Sequence, residues 1–236
     1  MNRLARMVLL NLFRFPGLYA KLCHYAKNTE KYPEPEKWNH IHKMMGYAVA
    51  AGNIDLQVFG RENIPAEDGM ILYGNHQGLF DVLALASDWE RPLAAVLKKE
   101  LAEVPLLKQV RECTNSFAMD REDVRQSLTV IKGVTEEVLK GRNYLIFPEG
   151  TRSRNGNVMG EFHGGSFRAA MKAQCPIVPV CFIDSFKVLD QKGSKRVSVQ
   201  MHYLKPIPYE EYKDLKTVDV AELVKSRIQA VLDANI

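Results

Sequence analysis

Apolar residues recur at helical spacing through the first 52 positions. Over residues 3–26, Leu4, Val8, Leu12, Phe15, Leu18, Tyr19 and Leu22 fall mostly three or four apart with basic residues on the other faces. This predicts an amphipathic helix, kinked at Pro16-Gly17. After a polar, proline-containing stretch at 28–37, Trp38, Ile41, Met45 and Ala48 or Val49 resume the period until Gly52, predicting a second helix. From Asn53 onward the texture changes. Short apolar runs, IDLQVFG, GMILYGNH, PLAAVL, NSFAM, NYLIF, CPIVPVCFI and RVSVQMHYL, are interleaved with helical stretches, the clearest at 81–88, 122–140, 166–173 and 218–233. That is the strand–helix alternation of an α/β domain. The expected organisation is an amphipathic helix pair at 1–52 followed by an α/β domain at 53–236.

Composition narrows this picture. With 236 residues, 46% of them hydrophobic and 25% charged, the chain can bury a sizeable core, and wholesale disorder is excluded. The net charge is +4, yet residues 1–31 alone hold Arg3, Arg6, Arg14, Lys21, Lys27 and Lys31 against Glu30, or +5, leaving −1 elsewhere. Positive charge confined to a segment rich in bulky apolar residues suits an anionic lipid surface and argues against a nucleic-acid partner. A hairpin packed on the domain fits the same pattern, and the two readings are compatible.

The longest early apolar run, 7–13, is interrupted by Asn11 and flanked by Arg6 and Arg14. It falls well short of the roughly 20 residues of a spanning helix. The run leads into Arg14 and Pro16 instead of a small-residue cleavage site, so it is expected to stay attached, placing the protein peripherally or monotopically at the cytoplasmic face of a membrane. Cys23, Cys113, Cys175 and Cys181 form no CxxC pair and no Cys/His cluster, so neither a disulfide framework nor a metal site is expected.

Chemistry in an α/β sheet gathers where strands end and helices begin. Directly after ILYG comes Asn75-His76-Gln77-Gly78-Leu79-Phe80-Asp81. An offset of five separates two side chains by about 140° on a helix and places them on opposite faces of a strand. His76 and Asp81 can meet only if His76 lies on a turn and Asp81 in the first turn of the next helix. Asp81 then accepts from one ring nitrogen and leaves the other basic enough to take a proton from a hydroxyl or thiol. Taken alone, the spacing also suits a turn histidine without chemistry.

After NYLI comes Phe147-Pro148-Glu149-Gly150-Thr151-Arg152-Ser153-Arg154, where Pro148 ends the ladder and Gly150 permits a tight turn. Its guanidiniums match phosphate oxygens, and Glu149 could orient one of them or bind a substrate hydroxyl. A third strand end carries Arg121, and Lys98-Lys99-Glu100 follows AAVL.

In this order NHQGLFD, KKEL with a following Pro105, SFAMDR, FPEGTRSR and CPIVPV resemble the 1-acylglycerol-3-phosphate acyltransferase family over residues 54–203. The resemblance implies a mixed, largely parallel sheet flanked by helices. It also implies acyl transfer from acyl-CoA or acyl-carrier protein to the free hydroxyl of lysophosphatidate, with no cofactor. By resemblance His76 is the general base and Asp81 orients it, while Lys98, Arg121, Glu149 and Arg152, with Gly150 and Thr151 in the same loop, hold the acceptor's phosphate and glycerol. Turn amides near Gly78 or Gly150 are candidate donors to the oxyanion. Glycerol 3-phosphate or another lysolipid is an alternative acceptor, and a non-catalytic lipid-binding protein is an alternative of another class. The chain departs from the family's usual pattern at Gly78, where a serine is frequent, at Asn115, where a glycine is common, and at His163-Gly164-Gly165, where a more basic stretch is usual.

Overall fold

The computed structural model describes residues 2–236. In chain order its elements are α1 (Arg3–Leu10), α2 (Phe15–Lys27), α3 (Glu34–Ala51), β1 (Ile54–Phe59), β2 (Ile71–Gly74), α4 (Phe80–Asp88), β3 (Leu93–Lys98), α5 (Leu107–Thr114), β4 (Phe117–Met119), α6 (Val124–Leu139), β5 (Asn143–Ile146), α7 (Arg168–Ala173), β6 (Ile177–Ile183), α8 (Phe186–Leu189), β7 (Val197–Tyr203), α9 (Tyr209–Tyr212) and α10 (Thr217–Asn235).

The strands form one sheet in the order β1-β7-β6-β2-β5-β3-β4. From β6 to β4 every neighbour is parallel, whereas β7 pairs antiparallel with β6 and parallel with β1. The sheet is therefore mixed and largely parallel, with helices on both faces. Ile71 and Tyr73 of β2, with Tyr144 and Ile146 of β5, pack into the layer formed by α6, α7 and α10. Leu72 and Leu145 point the other way, into a layer holding Trp38, Ile41, Phe80 and Leu85. Covering both faces explains why the central strands read as unbroken apolar runs and not as polar–apolar alternation.

The helix expected over 3–26 is two helices. Asn11 donates through Nδ2 to Met7 O at 2.9 Å and to Tyr47 O at 3.3 Å, so the chain turns at Asn11 and α2 begins afresh. Pro16 lies in the first turn of α2, where its missing N–H removes no helical bond. Helix α3 starts at Glu34, four residues ahead of Trp38, with Glu34 and Glu36 complementing its N-terminal dipole. Helix α5 and the single-turn helices α8 and α9 were not legible, being too short to display a helical period.

Leu22, Tyr25, Trp38 and Ile41 from α2 and α3 belong to the same buried cluster as Leu72 of β2 and Phe80 of α4. Trp38 Nε1 also donates to Trp89 O at 3.0 Å. Helix α1 is fastened by Arg3, whose buried guanidinium donates to the carbonyls of Lys187, Val188 and Lys195 at 3.0, 2.6 and 2.7 Å. The other side of α1 and the turn after it are bare: Val8, Leu9, Leu10 and Leu12 are about half exposed, and Phe13 is 98% exposed. None of the described helices is long and apolar enough to cross a membrane.

Candidate functional site

The carboxyl ends of the parallel strands collect the candidate residues along one edge of the sheet. In sheet order, β6 leads into Asp184 and Ser185, β2 into His76, β5 into the 147–154 loop, β3 ends at Lys98 and β4 leads into Arg121. This is where open α/β sheets place ligands, because the strand-to-helix loops there enclose a crevice.

His76 lies on the loop after β2, and Asp81 in the first turn of α4. His76 Nδ1 is 2.7 Å from Asp81 Oδ2. Since the carboxylate is the acceptor, Nδ1 carries a proton, and in the neutral ring Nε2 holds the lone pair. Among the described residues Nε2 has no hydrogen-bond partner, and the side chain retains 18% exposure. The ring stacks on Phe147, with centroids 4.1 Å apart. Asp81 is fully buried. Its Oδ2 also accepts Gln77 N–H at 2.7 Å and Gly78 N–H at 3.0 Å, so the carboxylate is held by the loop that it orients.

Glu149 lies in the loop after β5, where its motif placed it. Its carboxylate is buried, with Oε1 accepting His76 N–H at 2.7 Å and Oε2 accepting Gly160 N–H at 2.8 Å. Burial raises its pKa above the usual carboxylate value, against the opposing pull of these two amides. It joins the histidine loop to the 147–163 loop, and both oxygens are committed to backbone. Ser153 N–H to His76 O at 2.7 Å makes a second tie between these loops. Gly150, at φ 71°, turns the chain between them in a left-handed conformation.

The cations have distinct surroundings. Arg152 pairs with Asp190 just beyond α8, and Lys98 with Glu100 at 2.8 Å, both at the surface. Arg121 packs against Gly150; it is solvent-exposed, has no ion-pair partner among the described residues, and partial desolvation against the loop lowers its pKa. An unpaired guanidinium beside a glycine turn is open to an anion. Thr151 is exposed in the same loop, and His163 also packs near Gly150. Of the turn amides near Gly78 and Gly150, those of the two glycines themselves are already engaged. Gly78 N–H is taken by Asp81 Oδ2, and Gly150 N–H donates to Phe147 O at 3.1 Å. Among the described residues, no three His, Cys, Asp or Glu side chains gather as metal ligands.

Behind the loops an apolar cavity of about 310 Å³ opens between α1–α3 and the sheet, lined by residues such as Met7, Phe15, Met44, Ala86, Val110 and Leu145. Val82 and Leu189, which also line it, are the chain neighbours of Asp81 and Asp190, so one end lies beside the site.

Sequence reasoning missed Gln77, Asn157, Ser185 and Asp190. Ser185 donates to Asp81 Oδ1 across 104 residues of chain. Asp190 Oδ2 accepts Leu79 N–H at 3.2 Å. The one signal that could have found Ser185 is its position just past the end of an apolar run, the rule that led to His76 and Arg121.

A carboxylate-oriented imidazole with one ring nitrogen unpartnered among the described residues is the arrangement that general-base chemistry requires. The chain belongs to the Acyltransferase family, whose model matches residues 55–183. It is 33% identical over 118 residues to the 1-acyl-sn-glycerol-3-phosphate acyltransferase of Helicobacter pylori, covering 50% of this chain and 50% of that protein. It is 31% identical over 160 residues to the enzyme of the same name from Salmonella typhimurium, covering 66% of this chain and 65% of that one. The matched segment thus spans half to two thirds of these relatives' length. The crystal structure of the 1-acyl-sn-glycerophosphate acyltransferase PlsC from Thermotoga maritima shares the fold, with a TM-score of 0.78, 21% identity, and coverage of 96% of this chain and 91% of that one.

Proposed function

We propose that this chain transfers a fatty acyl group from an acyl thioester to the free hydroxyl of lysophosphatidate, forming phosphatidate. The observation that carries the reading is the free Nε2 of His76, held by Asp81 at the carboxyl edge of the sheet, on the same edge as Arg121. The acceptor's phosphate docks on Arg121, with Arg152 and Lys98 at the rim exchanging their carboxylate partners for it. Its hydroxyl then faces Nε2.

As the hydroxyl oxygen attacks the thioester carbonyl carbon, Nε2 takes its proton, and Asp81 stabilises the imidazolium across Nδ1. Collapse of the tetrahedral intermediate breaks the carbon–sulfur bond, and the imidazolium returns the proton to the leaving thiolate. No acyl-enzyme is needed. The apolar cavity takes the acyl chain, its volume falling within the usual range of ligand pockets. The bare apolar side of α1 rests on a lipid surface, which supplies the acceptor and receives the product.

The test is thioester-dependent acylation with lysophosphatidate, glycerol 3-phosphate and a neutral monoacylglycerol in parallel, using acyl-CoA and acyl-carrier protein as donors. Selective turnover of lysophosphatidate that falls by roughly 100- to 10,000-fold in His76→Ala is expected. Turnover of another acceptor only would move the substrate assignment, and His76→Ala turnover equal to wild type would remove the base.

A further inference from the structure

We propose that Ser185 is a positioning residue for His76 and Asp81, holding the Asp81 carboxylate in the rotation that turns Oδ2 to the imidazole. The inference rests on the acyl-transfer reading above and deepens it by adding a third member, from a distant strand, to the hydrogen-bonded chain.

The two oxygens of Asp81 are unequally supplied. Oδ2 has three donors, His76 Nδ1 at 2.7 Å, Gln77 N at 2.7 Å and Gly78 N at 3.0 Å. Oδ1 has the Ser185 hydroxyl and, among the described residues, no other donor. Both side chains are fully buried, so bulk water does not substitute for that hydroxyl. An anionic oxygen left without a donor in such a place is costly, and rotating the carboxylate to share the remaining donors would displace the imidazole.

The Ser185 proton has two acceptors in reach. Gln77 Oε1 lies 3.3 Å away and already takes Ser185 N–H at 3.1 Å, whereas Asp81 Oδ1 is closer and charged. The stronger acceptor takes the proton. Ser185 is itself fixed. Gln77 Nε2 donates to Asn157 Oδ1 at 2.8 Å, and Asn157 Nδ2 to Asp184 Oδ1 at 3.0 Å; Asp184 N–H returns to Asn157 Oδ1 at 2.9 Å. This loop of bonds ties the ends of β2, β5 and β6 together around the carboxylate. The ionisable groups around this network are Asp184, paired with Lys187 at 2.7 Å, Glu149, from the loop after β5, and Asp190, after α8, which pairs with Arg152. None of them donates to Oδ1.

Removing the hydroxyl is expected to lower kcat without weakening substrate binding, because Ser185 touches no substrate. The loss of one hydrogen bond to a buried charge corresponds to roughly 10- to 100-fold. Asp81 with one donor fewer holds the imidazolium more strongly, so the acid limb of the pH–rate profile moves to higher pH.

The experiment compares Ser185→Ala and Ser185→Thr with wild type in kcat, KM, pH profile and melting temperature. It also follows the downfield proton resonance of His76 Nδ1–H. The expected result is a lower kcat, an unchanged KM, a raised acid limb and a shifted resonance in Ser185→Ala, with the hydroxyl of Ser185→Thr restoring the limb and the resonance. An unchanged kcat and limb in Ser185→Ala would overturn the proposal. So would a kcat loss with the limb and resonance unmoved, which would leave Ser185 a packing role. If wild type acylates nothing, the acyl-transfer reading fails, and the resonance alone decides whether Ser185 positions the pair.

Discussion

A Cβ added to Gly78 would lie 2.6 Å from Asp190 Oδ2 and 3.0 Å from the backbone Cα of Phe186, so the histidine loop and α8 meet where no side chain fits. That oxygen of Asp190 accepts Leu79 N–H, and its partner oxygen holds Arg152. Gly78→Ser, the residue frequent at this position in the family, therefore drives Asp190 outward and loosens Arg152. Overpacking of this kind costs about 1–3 kcal/mol. A lower melting temperature is expected; a wild-type value would show that α8 yields freely.

Glu149→Gln keeps the size of the side chain but sets an NH2 group against one of two backbone N–H donors, those of His76 and Gly160. The mismatch costs about 1–3 kcal/mol. Denaturant unfolding measures that loss, and kcat falls alongside it because the His76 loop is displaced. A variant as stable as wild type and with normal kcat would contradict the clamp.

His40 of α3 lies buried against Leu18 O, with Nε2 2.9 Å from that carbonyl, and burial lowers its pKa. A histidine depressed in the folded state contributes stability that is full above its unfolded value, near about 6.5, and lost as pH falls through the folded value. Acidification below that point should weaken the α2–α3 contact, and His40→Gln should flatten the dependence of unfolding free energy on pH in this window. An unaltered slope would place the acid sensitivity elsewhere.

Leu9 and Phe13 project apolar surface into solvent from the basic N-terminal segment. Burying each in a lipid interface is worth about 1.5–3 kcal/mol, so Leu9→Ser with Phe13→Ser should cut partitioning onto anionic phospholipid vesicles by roughly 100-fold or more. Binding should also weaken as salt rises. Because both side chains are exposed, the melting temperature should not change; undiminished vesicle binding would exclude this face as the contact.

Local pattern alone determined the features whose cause is local. The apolar runs became strands, the periodic stretches became α4, α6 and α10, and an offset of five required His76 on a loop and Asp81 in a first helical turn. The FPEGTRSR loop announced its turn through Pro148 and Gly150. Tertiary structure decided what depends on partners far along the chain. Asn11 broke the first helix because Tyr47 offers it an acceptor. Glu149 bridges the amides of His76 and Gly160, Arg152 found Asp190, and Ser185 reached Asp81. A hydrogen bond across 104 residues leaves no period in the chain. It arises only because the parallel strands β6, β2 and β5 end side by side, and their loops must satisfy one another's polar groups once water is excluded.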